Sequence, residues 1–439
     1  MRDLLQDSLL LWQQDGGNRL PPFDRTFTRH EQTTREVEFD RLLRRVETEL
    51  SNFPCTRAER RAARRRASSS FEDFARACLD LDDSHLEVLR EGFGTVAMQL
   101  ARQAREFDPS ISAADIFQAG RNAWTACALE HMMCGEMQLT PAIFAYSMLY
   151  PYTDNYMDDP AISSCDKLAF SVRFRRRLEG KAVSPEQDRE ATIWRLVELI
   201  EQQWARDEWP KVYDSLLGIH RAQENSIRLL RFGEDRARAD VAKLSFEKGG
   251  ASVLADAYLA AGPILPDEAE FAFNWGVLLQ LGDDLQDLQE DLRGGILTVF
   301  TQAAAAAPAG RTAGGTLDEL TRRTLHFGSR AMAHIDHMPS SRSEHQSVAL
   351  RHKPLKELIR MSCSLLLIWS AGRSATHYTA DFLAELEMHS PFRLASLGEK
   401  RRKLARWTVP LTRLFESFLE DDEEGAAPLA LASALMPRF

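Results

Sequence analysis

The sequence predicts an all-α protein, and two observations favour this class. Apolar residues recur with the 3.6-residue period of a helix from about residue 56 to residue 420. No stretch alternates apolar and polar residues with the period of two that a half-buried strand shows. We therefore expect a helical domain over residues 56–420, a partly irregular N-terminal extension over 1–55 and a C-terminal tail over 421–439.

Local start and stop signals support several of the expected helices. Pro141, Pro185 and Pro266 are each placed to occupy the first turn of a helix. Gly294 and Gly295 end a helix, because glycine takes the left-handed conformation that a helix stop needs. The expected helices are roughly 56–80, 84–107, 112–136, 140–158, 163–179, 185–206, 210–232, 238–261, 266–292, 316–337, 347–371 and 398–420.

The composition is that of a globular protein with a large core. Of the 439 residues, 44% are hydrophobic and 27% are charged. Acidic residues outnumber basic ones by 65 to 55, and the net charge of −10 argues against nucleic-acid binding, which needs a basic surface. A metal cation is the more natural partner of such a chain.

Cysteine usage and apolar runs bear on the compartment. The six cysteines form no CxxC pair, so the sequence indicates neither a zinc site nor a disulfide framework. Residues 1–17 are too polar for a secretory signal, and no run of 18 apolar residues could form a transmembrane segment. We expect a cytoplasmic protein that at most touches a membrane surface.

A basic cluster occupies residues 57–66. Its members are Arg57, Arg60, Arg61, Arg64, Arg65 and Arg66. An exposed helix face is the simpler interpretation, and contact with an anionic surface or a diphosphate is the alternative.

A first acidic segment, DNYMDD (residues 154–159), ends the otherwise apolar helix 140–158. Asp154 and Asp158 are four residues apart, so their carboxylates share a helical face about 6 Å apart. Their mutual repulsion, together with the helix dipole at a C terminus, predicts a bound cation. Asp159 follows directly.

A second acidic segment (residues 283–291) lies late in the expected helix 266–292. Its polar stripe consists of Gln280, Asp283, Asp284, Asp287 and Asp291. Either segment alone would suggest an exposed acidic helix end. Two such segments, each ending an apolar helix, indicate a Mg²⁺ site between facing helices, because Mg²⁺ prefers oxygen ligands.

Lys248, Gly249 and Gly250 lie between the two acidic segments, inside a good helical pattern. A glycine within a helix costs roughly 1 kcal/mol relative to alanine, so a specific reason is expected. One interpretation is a helix break that admits a bulky substrate, and the other is close packing of two helices.

These motifs, in this order, resemble those of the class I isoprenoid synthase superfamily. LLQLGDDLQDLQED is similar to the second aspartate-rich motif of trans-prenyl diphosphate synthases and, with the Arg293-Gly294-Gly295 that follows, to that of squalene and phytoene synthases and of class IB large terpene synthases. DNYMDD resembles the first motif of the squalene-synthase branch, and Lys248-Gly249-Gly250 resembles the element that touches diphosphate. The resemblance covers about residues 90–370.

The resemblance implies a helical bundle around a central active-site cavity, a prenyl diphosphate substrate and more than one Mg²⁺. The implied catalytic and metal-binding residues are Asp154, Asp158, Asp159, Asp283, Asp284, Asp287 and Asp291. The implied diphosphate-binding residues are Lys248, Lys167, Arg173 and Arg175. The candidates for lining the cavity are Phe144, Tyr150, Phe246, Trp275, Gln280, His220 and Gln223.

Two departures from the family pattern favour a terpene synthase, which cyclises or couples prenyl chains. The GGKRLRP element of chain-elongating synthases is replaced by GGNRLPPF at residues 16–23, and the arginine pair expected after the first motif is missing. A chain-elongating prenyl diphosphate synthase remains the alternative. An all-α Mg²⁺-dependent nucleotide pyrophosphatase, whose paired ExxE motifs we do not find, and a non-catalytic helical partner subunit are the others. A homodimer is compatible with the sequence.

Overall fold

The prediction of an all-α protein is confirmed: every regular element in the described part of this computed structural model is a helix. The structure describes residues 1–14, 17–135, 137–159, 161–230, 240–305, 314–338, 346–407, 412–413 and 416. None of the described helices is both long and apolar enough to cross a membrane.

The helices follow one another along the chain with short connections. They are α1 (Arg2–Gln13), α2 (Arg29–Ser51), α3 (Arg57–Leu79), α4 (Asp83–Glu87), α5 (Gly94–Phe107), α6 (Ala113–Cys134), α7 (Pro141–Asp158), α8 (Ser164–Leu178), α9 (Asp188–Gln203), α10 (Pro210–Leu230), α11 (Val241–Ala261), α12 (Pro266–Gln286), α13 (Leu288–Gly294), α14 (Val299–Ala305), α15 (Gly314–Ala333), α16 (Gln346–Arg373), α17 (Ala380–Glu387) and α18 (Leu394–Ala405). A π-helical turn, Val88–Phe93, joins α4 to α5, and short 3₁₀ turns follow α15 and α16.

Most predicted helices are present with small shifts of their ends. Pro141 and Pro266 occupy the first turns of α7 and α12, as expected, and Thr140 caps α7 by accepting from the Ile143 amide. Gly295 has a φ of 66° and ends α13 in the left-handed conformation. The predicted start at Pro185 is wrong, because α9 begins at Asp188.

The predicted helix 266–292 is not continuous. α12 ends at Gln286 and α13 begins at Leu288, and Asp287 between them has a ψ of 6°. Hydrogen bonds still run from the Asp287 amide to the Asp283 carbonyl (2.9 Å) and from the Asp291 amide to the Asp287 carbonyl (2.9 Å). The second acidic segment therefore bends at Asp287 while its helical hydrogen bonds continue.

The N-terminal extension contributes two helices for which the sequence showed no periodic pattern. α1 inserts Trp12 into the core, where its ring meets Phe246 edge to face at 5.5 Å. α2 buries charged side chains as well as apolar ones: Glu36 bonds to Arg393, and Arg35 bonds to Asp80. Because this buried face is partly charged, an apolar periodicity could not reveal it.

The basic cluster lies on α3. Arg57, Arg61, Arg65 and Arg66 are exposed, in agreement with the simpler interpretation of an exposed helix face. Arg66 also forms an ion pair with Glu49 of α2, at 2.6 Å.

α11 is the central helix of the bundle, and nearly all of its residues are buried. It packs against α12, α10, α6 and α7. One of its faces contributes Phe246 and Val253 to a core shared with α1, α12, α15 and α16. Another contributes Ala255 and Leu259 to a core shared with α6, α7, α9 and α10. α11 thus joins the two halves of the bundle and, with them, the two acidic segments.

Candidate functional site

Three hydrogen bonds, at two levels along the helices, show that α7 and α11 run antiparallel. The Asn122 amide nitrogen of α6 donates to Ser147 on α7 (3.1 Å) and to Asp256 on α11 (3.0 Å), which places these two residues at one level. The Tyr150 hydroxyl lies 2.5 Å from the Ser252 hydroxyl. As the residue number rises on α7, it falls on α11. One turn beyond Tyr150, Asp154 therefore reaches the level of Lys248.

α12 also runs antiparallel to α11. Gly249 of α11 lies against Gly276 of α12. Further along α12, Asp284 accepts a hydrogen bond from the Ser245 hydroxyl at 3.0 Å. The acidic end of α12 thus lies beside the N-terminal half of α11.

Both acidic segments consequently lie toward the same end of α11, each at the end of a helix packed against it. Lys248 is at this level of α11, and its charge lowers the pKa of Asp284 and of Asp291, although the net pKa shift of both carboxyls is upward. A site shared by the two acidic segments requires that both lie at the same level along α11, as they do here.

Asp284 is the buried acid of the second segment, with 7% of its surface exposed. It accepts hydrogen bonds from the Gln280 amide (2.8 Å) and from Ser245. Burial raises the pKa of its carboxyl to about 6, although both hydrogen bonds and Lys248 act in the opposite direction. Gln280, predicted to line the cavity, therefore holds an acid of the candidate site.

Asp291 is a half-buried acid near other carboxyl groups. Burial raises the pKa of its carboxyl to about 7, and the negative charges of Asp284, Asp287 and Glu290 add to this effect. Asp283 of the same segment is exposed. Glu290 forms an ion pair with Arg373 at 2.7 Å, and carboxylate oxygens such as those of the second segment are the ligand type that a hard cation such as Mg²⁺ prefers.

The first acidic segment is described in part. Asp154 is half-buried and lies 3.5 Å from the Thr153 hydroxyl. Asp159 follows the helix end and accepts from the Ala161 amide at 2.8 Å. The side chain of Asp158 lies outside the described part of the structure.

Within the described residues, no three His, Cys, Asp or Glu side chains are grouped so that they could hold one ion among them. Mg²⁺ typically takes only one or two protein carboxylates and completes its shell with water and phosphate oxygens. A Mg²⁺ ion held by these carboxylates would therefore need further oxygen ligands from water or a substrate.

The glycine pair serves close helix packing. A Cβ atom added to Gly249 would lie 2.5 Å from the Gly276 carbonyl oxygen, and one added to Gly250 would lie 2.5 Å from a ring carbon of Phe273. α11 continues unbroken from Val241 to Ala261. The packing interpretation is confirmed and the predicted helix break is wrong.

Three aromatic residues predicted to line the cavity belong to the core. Phe246 is fully buried and packs on Trp12. Trp275 is packed at 5.7 Å from the ring of Phe271. Phe144 is 4% exposed and meets another core ring edge to face. Their assignment to a substrate cavity stays a prediction, and the contacts that the structure describes for them are packing contacts.

The predicted diphosphate-binding residues on α8 are in part engaged elsewhere. Arg173 donates to Glu190, whose side chain is 3% exposed, and lies 3.0 Å from Glu186, so its charge is balanced within the fold and its assignment to diphosphate stays a prediction. Arg175 lies 3.4 Å from Glu224 of α10. Lys167, near the start of α8, is half-buried.

A small cavity of about 30 Å³ lies between α7, α8 and α10. Its lining contains Tyr150, His220 and Gln223, which the sequence analysis had proposed as cavity residues. The remaining lining residues are Tyr146, Leu149, Thr153, Phe174, Leu178, Leu216 and Ile219. A ligand pocket of ordinary size measures about 300–1,000 Å³, so a prenyl chain does not fit this cavity.

The sequence analysis overlooked a polar stripe on α11. Ser245, Lys248, Ser252 and Asp256 follow at steps of three or four residues and so share one helical face. Asp256 is 1% exposed, and burial raises the pKa of its carboxyl well above the usual value. The spacing of these four polar residues within an apolar helix was a readable signal.

Comparisons with known proteins identify no relative. No protein-family model, no curated protein and no solved structure matches the chain.

Proposed function

We propose that the protein is a Mg²⁺-dependent terpene synthase that ionises an allylic prenyl diphosphate and cyclises or couples the resulting carbocation. The observation that carries the proposal is the common level of the two acidic segments along α11, with Lys248 between them. Two acidic segments and a lysine at one level of the same helix would be a suitable receptor for a metal-bound diphosphate.

The carboxylates of the two segments would hold the metal ions. Asp154, Asp158 and Asp159 would act from α7, and Asp283, Asp284, Asp287 and Asp291 from α12 and α13. When bound, Mg²⁺ stabilises the negative charge that develops on a departing diphosphate. Burial, with repulsion from neighbouring carboxylates added, raises the pKa values of Asp284 and Asp291, and a bound cation would stabilise the charged forms of both.

The chain's own residues would orient the diphosphate and the carboxylates. Lys248 of α11 and Lys167 of α8 would donate charge-assisted hydrogen bonds to diphosphate oxygens. Ser245 and Gln280 hold Asp284 by direct hydrogen bonds and so fix the direction of its carboxyl group. These contacts position the acids before any substrate binds.

The experiment is incubation of the full chain with geranyl, farnesyl and geranylgeranyl diphosphate, with Mg²⁺ or with EDTA. Diphosphate release and organic products are measured together, the latter by mass spectrometry. We expect Mg²⁺-dependent release of diphosphate with a hydrocarbon or an alcohol. A longer diphosphate formed only with added isopentenyl diphosphate would assign chain elongation, and hydrolysis of nucleoside triphosphates alone would assign a pyrophosphatase.

A further inference from the structure

α13, the short helix that carries Asp291, is held by few apolar contacts of its own. Leu288 is the one buried residue among its seven, all of which the structure describes. Leu292, one turn further on, is 36% exposed. Helical hydrogen bonds continue across the bend at Asp287, and any further restraint on the position of Asp291 must come from contacts with other elements.

Two neighbouring residues of α13 both bond to Arg373, the last residue of α16. The Gln289 amide donates to the Arg373 carbonyl oxygen at 3.1 Å. The Arg373 guanidinium donates to the Glu290 carboxylate at 2.7 Å. The last carbonyl groups of a helix have no partner within that helix, so the end of α16 can offer an acceptor to a neighbour. Arg373 thus holds α13 at two points, through its backbone and through its side chain.

These two bonds restrict the rotation of α13 about its own axis. Successive residues of an α-helix point in directions about 100° apart. Gln289 and Glu290 are turned toward Arg373, so the next residue, Asp291, is turned to another side. A rotation of α13 by one residue would break both bonds and put Glu290 in the direction that Asp291 now takes.

The charges near α13 separate Glu290 from Asp291 in the same way. Arg401 of α18 lies close to the Arg373–Glu290 pair: burial lowers the pKa of its guanidinium, Arg373 adds to this effect, and Glu290 opposes it. Glu290 is thereby attracted toward α16 and α18. Burial raises the pKa of Asp291, and the charge of Lys248 on α11 acts against this rise, so Asp291 is attracted toward α11.

We propose that Arg373 is a positioning residue of the candidate site, which holds Gln289 and Glu290 so that Asp291 is directed toward the bound Mg²⁺. The inference rests on the proposed function. Arg373 acts through α13 and touches neither metal nor substrate. Residues that orient metal ligands in this way typically contribute about 10–100-fold to metal affinity.

The direction of the effect distinguishes positioning from simple electrostatics. Arg373 brings a positive charge close to an acidic segment. Removal of that charge would by itself strengthen the binding of a cation to nearby carboxylates. Loss of a positioning contact weakens the binding instead. A change at Gln289 leaves the charge of the protein as it is, so its effect reports on position alone.

The test uses the full chain with Mg²⁺ and inorganic diphosphate, and measures the Mg²⁺ concentration that gives half of the maximal rise in Tm. The Mg²⁺ concentration for half-maximal diphosphate release from the three prenyl diphosphates is measured beside it. Arg373→Gln removes the bond to Glu290, and Gln289→Leu removes the bond to the Arg373 carbonyl. We expect each variant to raise both concentrations by about tenfold or more. Amide hydrogen exchange in residues 288–294 should become faster, with that of α12 unchanged.

Two further variants serve as controls. Arg373→Lys keeps a charge that can reach Glu290, and should return both Mg²⁺ concentrations to within about threefold of the wild type. Arg360→Gln removes a similar ion pair of α16, with Asp336 at 2.5 Å. Arg360 lies 13 residues before Arg373, about 20 Å along the helix, so its replacement should leave both concentrations unchanged.

The outcomes separate the two proposals. Unchanged or lower Mg²⁺ concentrations in Arg373→Gln and Gln289→Leu, with normal turnover by the wild type, would overturn the positioning role and leave the proposed function standing. A Tm of the wild type that rises with Mg²⁺ without turnover of any prenyl diphosphate would overturn the proposed function, and the Tm series would still decide the role of Arg373. A wild type that responds to Mg²⁺ in neither measurement would overturn both. If Arg373→Gln fails to fold, Gln289→Leu decides, because it keeps the Arg373–Glu290 pair.

Discussion

Gly249 and Gly276 touch where α11 crosses α12, and a Cβ atom on Gly249 would lie 2.5 Å from the Gly276 carbonyl oxygen. This close approach sets the distance between the two helices. It thereby allows the Ser245 hydroxyl to reach the Asp284 carboxylate at 3.0 Å. The geometry of the candidate site depends on it.

Gly276→Ala should therefore lower both stability and activity. The added methyl group overlaps the Gly249 backbone, and overpacking of this kind costs about 1–3 kcal/mol. Urea denaturation measures the loss of unfolding free energy. Gly398→Ala in α18, where an added Cβ meets nothing within 4 Å, is the control and should leave the protein as stable or slightly more so. Equal stability of the two variants would contradict the packing role.

Asp287→Asn should abolish turnover without loss of helix. The asparagine keeps the size of the side chain but removes the negative charge that would hold a cation. We expect at least a hundredfold lower rate of diphosphate release and an unchanged far-UV circular dichroism spectrum. Asp214→Asn, on the exposed face of α10, is the control. Full activity of Asp287→Asn would remove this residue from the metal site.

Arg173→Ala should destabilise the fold. Glu190, whose side chain is 3% exposed, would lose the partner that compensates its charge, and breaking a buried pair from one side costs about 3 kcal/mol or more. Arg176→Ala, on the exposed side of the same helix, should change stability little. The free energy of unfolding measures both. If Arg173→Ala is as stable as the wild type, the ion pair is not structural.

Lys248→Ala should reduce activity more than stability. Loss of a hydrogen bond to a charged group costs about 1.5–3 kcal/mol, which corresponds to a decrease of roughly ten- to hundredfold in kcat/KM. Lys243→Ala, an exposed lysine of the same helix, is the control. Wild-type kcat/KM in Lys248→Ala would exclude this lysine from substrate binding.

The metal-free protein should lose stability as the pH rises from about 4 to about 7. The pKa values of Asp284 and Asp291 are raised from 3.8 to about 6 and about 7, so the folded state binds more protons than the unfolded state in this window. Asp291→Asn should make the loss of Tm between pH 4.5 and 7.5 smaller. Mg²⁺ should raise the Tm at pH 7.5. Identical pH slopes for the wild type and the variant would refute the assignment.

The cavity residues illustrate the limit of reasoning from sequence. Phe246 and Tyr150 both stand on helices near the acidic segments, and both were predicted to line the cavity. Tyr150 lines the small cavity beside α7, whereas Phe246 packs on Trp12 from α1. α1 itself had no readable pattern, so its partner could not be anticipated.

The glycine pair and Arg173 also show that a distant part of the chain decides what a residue contacts. A helical pattern with two glycines left packing and a helix break equally open, and the choice depended on Gly276, 27 positions after Gly249. Arg173 carried the charge expected of a diphosphate ligand, but Glu190 neutralises it from another helix. In both cases the deciding atoms come from a distant part of the chain.

The all-α class, most helix limits and the two acidic segments follow from the order of residues alone, because helical periodicity, caps and like-charge spacing are local properties. The direction of each helix relative to α11 does not follow from the order of residues, and neither does the common level of the two segments. It depends on contacts such as Tyr150 with Ser252 and Ser245 with Asp284, which join residues 102 and 39 positions apart. Such contacts exist only once the chain has packed. The candidate site depends on them, because they bring its residues together.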